Sequence, residues 1–186
     1  MPFFYLPPEP LWLRQGEIIE NLFELWPRVS EGETIDVEQT AKLDRIDHPY
    51  AIVISQDCDL ELDFKARHGQ ASDDKLLRHV LFCVLYSPDE IRIRPGLDSS
   101  QLFKRARQNQ DERYHHFNEA PIDKTERVLP DLYADFKATF SLPIEFAYSL
   151  TSSGHATRIG FLPSPYLQDF IHRLYSFLGR VAVPES

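Results

Sequence analysis

The segment from Ser164 to Gly179 constrains the fold more than any other part of the chain, because it has the full pattern of an amphipathic helix. Ser164 predicts the N-cap, Pro165 the first helical position and Gly179 the end of the helix. Large apolar residues recur there at the three- and four-residue spacing of one wide helix face: Tyr166, Leu167, Phe170, Ile171, Leu174, Phe177 and Leu178. Burial of each such side chain contributes about 1.5 to 3 kcal/mol, so this helix must pack against a sheet or a partner.

Stretches rich in β-branched and aromatic residues predict the sheet. Pro49–Ser55 is the clearest strand, and Val80–Tyr86 is a continuous apolar run short enough to be a buried strand. Further strands are predicted at Glu17–Trp26, Arg113–Phe117, Leu132–Phe140, Ile144–Leu150 and Ala156–Leu162. A helix is an alternative for Glu17–Trp26, where Gly16 favours the strand.

These elements predict the fold class. The 186 residues, of which 42% are hydrophobic, can bury one core, so we expect a single domain over residues 1–186. The expected class is α+β, with a bent, mostly antiparallel sheet or an SH3-like partial barrel packed by the C-terminal amphipathic helix. The smaller features expected are a helix at Asp98–Gln108, a short helix capped by Ser72 or Asp73, a turn at Ser87–Glu90, an acidic loop at Val29–Asp47 with a short strand at Thr34–Val37, and an edge strand at Arg180–Pro184.

The negative charge of the chain is concentrated in its first third. The net charge is −9, and residues 1–64 alone carry 14 acidic and 4 basic side chains. Acidic residues repel a phosphate backbone, so a general nucleic-acid binder is not expected. The basic exception is Arg92–Arg113, with six basic and three acidic residues, which could contact RNA or DNA but is more often a solvated helix face. The candidate partner-binding residues are Glu31, Glu33, Asp36 and Glu38 in the acidic third, and Arg105 and Arg107 in the basic stretch.

The sequence also suggests a location. It has no apolar run of about 18 residues, and prolines interrupt its first residues, so neither a membrane span nor a signal peptide is predicted. The two cysteines are expected to be free thiols. We therefore expect a cytoplasmic protein that does not associate with membranes.

Asp57–Phe64 alternates carboxylates with other residues, which predicts a strand with four carboxylates on one face. These are Asp57, Asp59, Glu61 and Asp63. Such oxygens could bind a hard cation such as Mg²⁺, with Asp57, Asp59 and Glu61 as its ligands. The alternative is a solvated face or an edge strand protected against aggregation, and then no cofactor is expected.

Two further patterns suggest catalysis. Asp63-Phe64-Lys65 has the acid-x-lysine form of metal-dependent nucleases, with Asp47 or Asp57 as a second acid. Cys58 is a candidate nucleophile. Its candidate bases are His48, His115 and His116. Acidic neighbours disfavour a reactive thiolate, so the default interpretation of Cys58 is a buried structural residue, as it is for Cys83.

Gly16-Glu17-Ile18-Ile19, an acidic loop and Pro49-Tyr50-Ala51-Ile52-Val53-Ile54-Ser55 follow one another within residues 14–57. This order resembles the opening of the PemK/MazF-like toxin barrels, in which a Gly-Asp-Ile-Val strand precedes an Arg-Pro-x-x-Val-Ile-Ser strand. The resemblance implies an SH3-like barrel with ribonuclease activity and places His48 and Ser55 in its cleft. His48 stands here at the position of the family's arginine, and most of the chain lies outside the similar region.

Two functions are therefore expected from the sequence. The first is a non-enzymatic binding or regulatory module of a bacterial or phage system that presents an acidic face to a basic protein partner. The alternative is a PemK/MazF-like ribonuclease or a metal-dependent nuclease. Its candidate catalytic residues are His48, Ser55, Asp57, Cys58, Asp59 and Arg113.

Overall fold

The computed structural model describes residues 4–5, 12–27, 43–94, 97, 99–123 and 125–180. The strands in these ranges are β1 (Phe4–Tyr5), β2 (Glu17–Pro27), β3 (Leu43–Val53), β4 (His79–Tyr86), β5 (Tyr114–Phe117), β6 (Ala120–Asp123), β7 (Val128–Leu129), β8 (Leu132–Pro143) and β9 (Thr157–Phe161). The α-helices are α1 (Asp57–Arg67), α2 (Pro88–Arg92), α3 (Ser100–Arg107), α4 (Ile144–Ser152) and α5 (Tyr166–Leu178).

The strands form a sheet in the order β5-β8-β4-β3-β2-β9-β1-β6-β7. The first six strands in this order, β5-β8-β4-β3-β2-β9, pair antiparallel with one another, and β1 pairs parallel with β6. Register shifts in the β2–β9 and β4–β8 pairs mark irregularities of the kind that bend a sheet. The α+β class with a bent, antiparallel sheet and a C-terminal helix is thereby confirmed.

The sheet curls so that its two ends approach each other. β5 ends at Phe117 and β6 begins at Ala120, although these strands lie near opposite ends of the strand order. Three consecutive Cα–Cα steps span at most about 11 Å, so the two strands must be close in space. Phe117, Ala120 and Ile122 accordingly share one buried cluster with Ile18 of β2, which we call the inner core.

Both faces of the central strands are buried. Ile52 and Cys83 belong to the inner core, whereas Val53 and Phe82 belong to a second cluster, the outer core, which also contains Leu60 of α1 and residues of α4. A strand covered on both faces needs apolar residues at successive positions rather than at alternate ones. This explains the continuous apolar run that predicted β4.

Helix α5 closes the inner core, as its apolar pattern predicts. Phe170, Leu174 and Phe177 are buried there, and the Phe170 ring centroid lies 5.4 Å from that of Phe117. The expected N-cap at Ser164 is wrong, because the helix begins at Tyr166 and Pro165 occupies the cap position. Ser164 therefore lies one residue too early, and no side-chain hydrogen bond caps the helix.

The strand expected at Asp57–Phe64 is wrong, because these residues begin helix α1. Of the alternating apolar residues, Leu60 is buried while Leu62 is 37% exposed, so the segment packs with helical periodicity. Asp57 and Asp59 lie in the first turn, and Lys65 and Arg67 in the last, where each charge sign favours the helix dipole.

The strand expected at Ile144–Leu150 is also wrong, because α4 occupies it. Its buried residues, Ile144, Ala147 and Leu150, are spaced by three, as on one helix face. The turn expected at Ser87–Glu90 is instead the start of α2, since Ser87 and Glu90 form a reciprocal capping box. The short helix expected after Ser72 is a 3₁₀ turn at Asp73–Lys75.

Strand β3 is longer than the sequence predicts. It begins at Leu43, so Leu43–Asp47 belongs to the sheet and not to the acidic loop. The short strand expected at Thr34–Val37 and, apart from Arg180, the expected tail strand lie outside the described residues. Among the helices that the structure describes, none is long and apolar enough to span a bilayer.

Candidate functional site

The three carboxylates of the expected metal site do not share one face of α1, because Asp59 lies on the side away from Asp57 and Glu61. Asp57 accepts hydrogen bonds from Nε and Nη2 of Arg14 at 3.2 and 3.0 Å, and Glu61 pairs with Lys65 at 2.5 Å. Asp59 is exposed. Within the part of the chain that the structure describes, no three His, Cys, Asp or Glu side chains form a group that could hold a metal ion.

Asp63, the remaining member of that row, is fully buried and has a structural role. Its carboxylate accepts two hydrogen bonds from Nε of Arg67, at 2.9 and 3.0 Å, and one from the Leu77 N–H at 2.8 Å. Arg67 also donates to the Leu77 carbonyl at 2.9 Å. Asp63 therefore links α1 to the segment that leads into β4. In the acid-x-lysine interpretation this carboxylate would be catalytic, but it is already occupied by these hydrogen bonds.

The candidate catalytic residues lie in different parts of the fold. His48 is buried on β3, where its Nε2 lies 2.9 Å from Oε1 of Glu24. Ser55 follows the far end of the same strand, where its Oγ accepts a hydrogen bond from the Leu81 N–H at 2.9 Å. Seven residues of extended chain span about 23 Å, so the two side chains do not converge.

The two cysteines differ in environment. Cys58 is exposed in the first turn of α1, so the expectation of a buried residue is wrong. Cys83 is buried in the inner core, as the sequence predicts, and burial raises the pKa of its thiol above the usual range. The candidate bases His115 and His116 are both buried on β5.

Arg113 belongs to an ionic cluster that the sequence did not reveal. Asp135 of β8 is fully buried and accepts hydrogen bonds from Nε and Nη2 of Arg113, both at 2.7 Å. It also accepts one from Nη1 of Arg94 at 2.6 Å. The bonds to Asp135 raise the pKa of the Arg113 guanidinium. Arg113 therefore fastens the β5 edge of the sheet to β8, while Arg105 and Arg107 are exposed on α3.

The best-formed concave surface near the acidic third is a groove of about 630 Å³. It is lined by Glu24–Pro27 of β2, Thr139–Pro143 of β8 and Phe146 of α4. The rings of Phe140 and His48 stack with their centroids 4.3 Å apart, and Phe23 packs edge-to-face on Phe146 at 5.5 Å. The groove is thus built on packed aromatic rings and stands on rigid elements.

The groove lies beside an extension of the sheet that we call the hairpin tip, Glu24–Pro27 with Leu43–Asp47. Within β2, the residues that pair with β9 are Glu17–Glu20, and within β3, those that pair with β4 are Tyr50–Val53, in the described ranges. The hairpin tip therefore extends beyond these neighbours as a two-stranded ribbon. Four of its apolar side chains are between 40 and 55% exposed: Leu25, Trp26, Leu43 and Ile46.

The described residues of the hairpin tip include three acidic side chains, Glu24, Asp44 and Asp47, and one basic side chain. Residues 24–47 contain seven acidic and three basic side chains. Glu31, Glu33, Asp36 and Glu38 lie outside the described residues, but their segment joins Pro27 to Leu43, so both of its ends are at the hairpin tip. The one basic side chain of the tip, Arg45, pairs with Asp47 at 2.6 Å and lies 3.9 Å from the Phe23 ring centroid.

A second concavity, of about 360 Å³, lies between α5 and residues 109–112. Its cationic residues include Arg173 of α5 and Arg180, which follows the helix. Sequence reasoning missed both concavities. The sequence signal of the first was an apolar Leu-Trp-Pro at the end of a strand, and that of the second was a pair of arginines seven residues apart, one on the terminal helix and one just after it.

Comparison of the chain with models of protein families finds no match. Comparison with curated proteins likewise finds none. The function is therefore inferred from the groove, the hairpin tip and their charge.

Proposed function

We propose that this protein is a binding module that holds a basic segment of a partner protein, with apolar side chains of that segment seated in the groove. The observation that carries the proposal is the exposed Trp26 of the hairpin tip, which lines the groove, with Ile46 on the same face of the ribbon. The module acts by holding its partner, which agrees with the acidic binding or regulatory protein expected from the sequence.

The apolar part of the argument rests on Trp26. It is 54% exposed at the end of β2, on the wall of a groove whose volume falls within the range of about 300 to 1,000 Å³ that is typical of ligand sites. Tryptophan is enriched among the residues that dominate binding energy in protein interfaces. Ile46 is opposite Glu24 on β3, so it lies on the same face of the ribbon as Trp26 and extends the apolar area, whereas Leu25 points to the other face. Exposed apolar side chains on one face are typical of an interaction site.

The charge argument selects the partner. The described residues of the hairpin tip carry a net negative charge, with Glu24, Asp44 and Asp47 against Arg45. In sequence, residues 28–42 between its two strands add four acidic and two basic side chains. A negative field accelerates the approach of a basic segment and repels an acidic one. Because exposed charges are screened by salt, the binding of such a partner weakens as the ionic strength rises.

Two synthetic peptides of equal length provide the test, one alternating lysine with leucine and the other alternating glutamate with leucine. Trp26 is exposed, so its fluorescence emission should shift to the blue when the lysine peptide covers it. We expect saturable binding of the lysine peptide that weakens with salt, and no binding of the glutamate peptide.

Trp26→Ala should weaken binding of the lysine peptide by about ten-fold or more, a loss typical of a central interface residue. Its matched control is Leu178→Ala, which truncates a side chain that is 56% exposed on α5. Calorimetry measures the affinity of the lysine peptide for both variants. Equal affinity of the two variants, or no saturable binding to the parent protein, would show that the groove is not the binding site.

A further inference from the structure

We propose that the second concavity, which we call the α5 pocket, binds a small molecule through its phosphate or carboxylate group. The pocket lies between one face of α5 and residues 109–112, and its volume of about 360 Å³ suits a small ligand. Its lining includes Arg173, Arg180, His172 and Ser176, side chains that donate hydrogen bonds to oxyanions. This site is separate from the groove and is not part of the proposed protein-binding function.

Arg173 is the fixed cation of the α5 pocket. Its guanidinium donates to the backbone carbonyls of Asn109, Asp111 and Tyr114, the last two at 2.7 and 2.8 Å. These bonds hold the side chain in place, so little conformational entropy is lost when a ligand binds. All three acceptors are neutral, and in the described part of the chain no carboxylate forms an ion pair with Arg173.

The hydrogen bonds of Arg173 leave its positive charge without an anionic partner among the described residues. Its Nε is buried and donates no hydrogen bond within the described residues. Burial lowers the pKa of this guanidinium, because neutral carbonyls replace its lost hydration only in part. An oxyanion nearby would offset that loss of hydration, since hydrogen bonds between ionised partners are about twice as strong as neutral ones.

Arg180 is the second cation, and its present partner is weak. Its Nη1 lies 3.3 Å from Oε2 of Glu112, and the two side chains are 46% and 79% exposed. An exposed pair of this kind contributes at most about 1 kcal/mol and breaks readily. A ligand oxyanion in the pocket can therefore take the place of Glu112 on Arg180, while the Arg180 side chain stays packed over the Phe177 ring, 3.6 Å from its centroid.

The wider charge distribution favours an anion here and not at the groove. The α5 pocket adjoins the end of α3, which carries Lys104, Arg105 and Arg107, all exposed. The described hairpin tip is thus acidic, whereas α3 beside the pocket is basic. In the pocket lining itself, Asp111 and Glu112 balance Arg173 and Arg180, so α3 supplies the excess of positive charge.

Titration of the protein with inorganic phosphate and with citrate, at constant ionic strength maintained with chloride, tests this proposal. The amide resonances of Asn109–Glu112 and Ser176 report on the α5 pocket in two-dimensional NMR spectra. We expect saturable shifts of these resonances by at least one of the two anions, with half-saturation at about 1 mM. Saturable shifts with phosphate but not with citrate would identify a phosphoryl ligand, and saturable shifts with citrate but not with phosphate would identify a carboxylate ligand.

Two substitutions have opposite expected effects. Ser176→Glu places a carboxylate in the pocket and should abolish the shifts, whereas Gln168→Glu adds the same charge at an exposed position of α5 that does not line the pocket and should leave them unchanged. Glu112→Gln removes the competing carboxylate and should tighten binding by about three- to ten-fold. Absence of saturable shifts up to about 10 mM, or equal shifts in the Ser176→Glu and Gln168→Glu variants, would overturn the proposal.

Discussion

We expect Asp135→Asn to lower the free energy of unfolding more than almost any other acid-to-amide substitution in this protein. The carboxylate is fully buried and accepts three hydrogen bonds, of 2.6 to 2.7 Å, from the guanidinium groups of Arg94 and Arg113. It also accepts one at 3.0 Å from the Lys137 N–H. In Asp135→Asn, one acceptor becomes an NH₂ group that faces arginine donors, and two cations lose their counter-charge.

The size of the loss follows from the exposure of the partners. Breaking a buried ion pair typically costs about 3 to 5 kcal/mol. The side chains of Arg94 and Arg113 are 28% and 31% exposed, so water can solvate part of their charge in the variant. We therefore expect the free energy of unfolding to fall by about 3 kcal/mol, at the lower end of that range.

Urea unfolding followed by circular dichroism measures this difference. With a denaturant dependence of about 2 kcal/mol per molar urea, the midpoint should fall by about 1.5 M. Asp59→Asn is the matched control, because Asp59 is exposed and its substitution should change stability by no more than about 0.5 kcal/mol. A loss in Asp135→Asn below about 1 kcal/mol would show that the cluster does not stabilise the sheet.

Two further predictions concern pH and catalysis. Burial lowers the pKa of His115 from 6.5 to about 3, so below pH 6.5 only the unfolded chain takes up this proton. Between pH 6.5 and 5 the free energy of unfolding should therefore fall by about 2 kcal/mol on account of this group. His115→Gln should remove that part of the pH dependence in urea titrations, whereas identical slopes in the variant and the parent would refute it. For catalysis, we expect the purified protein to leave RNA and DNA intact in Mg²⁺ or Mn²⁺, as judged by gel electrophoresis; cleavage that Asp57→Ala abolishes, with the fold intact, would establish the nuclease alternative.

The elements that the sequence predicts well are those whose burial follows from one pattern. Most of Val80–Tyr86 is apolar because both faces of β4 are covered from Phe82 onward. The apolar residues of α5 recur at helical spacing, and Phe170, Leu174 and Phe177 are buried. In both cases the local pattern and the tertiary environment agree, so the strand and the helix are found where they are expected.

The errors arise where two periodicities fit the same residues. In Asp57–Phe64 the alternation of acids with Leu60 and Leu62 fits a strand, but Leu60 and Phe64 are also four residues apart, as on a helix. The helix is favoured by a local contact and by a tertiary one. Asp63 pairs with Arg67 one helical turn away, and it accepts a hydrogen bond from the Leu77 N–H outside the helix. Ile144–Leu150 shows the same ambiguity, and a short apolar run does not distinguish a helix from a strand.

The candidate sites were harder to predict because they join residues that are distant in sequence. The groove combines Trp26 with Phe140 and Phe146, and the α5 pocket combines Arg173 with Asn109–Glu112. The charge of the acidic third was visible in composition, but the place where it meets an apolar surface depends on the curl of the sheet. The ribonuclease interpretation suggested by residues 14–57 stays a prediction.

The pairing of β2 with β9 has a consequence for synthesis on the ribosome. Glu17–Glu20 can pair with Thr157–Phe161 only after β3 to β8 and α1 to α4, which lie between them in sequence, have been made. Until then this edge of the nascent hairpin has unpaired backbone groups, and buried Glu17 lacks its Arg158 partner. Translation that stops before Thr157 would therefore release a chain with an open, apolar strand edge, which chaperones and proteases would recognise as unfinished.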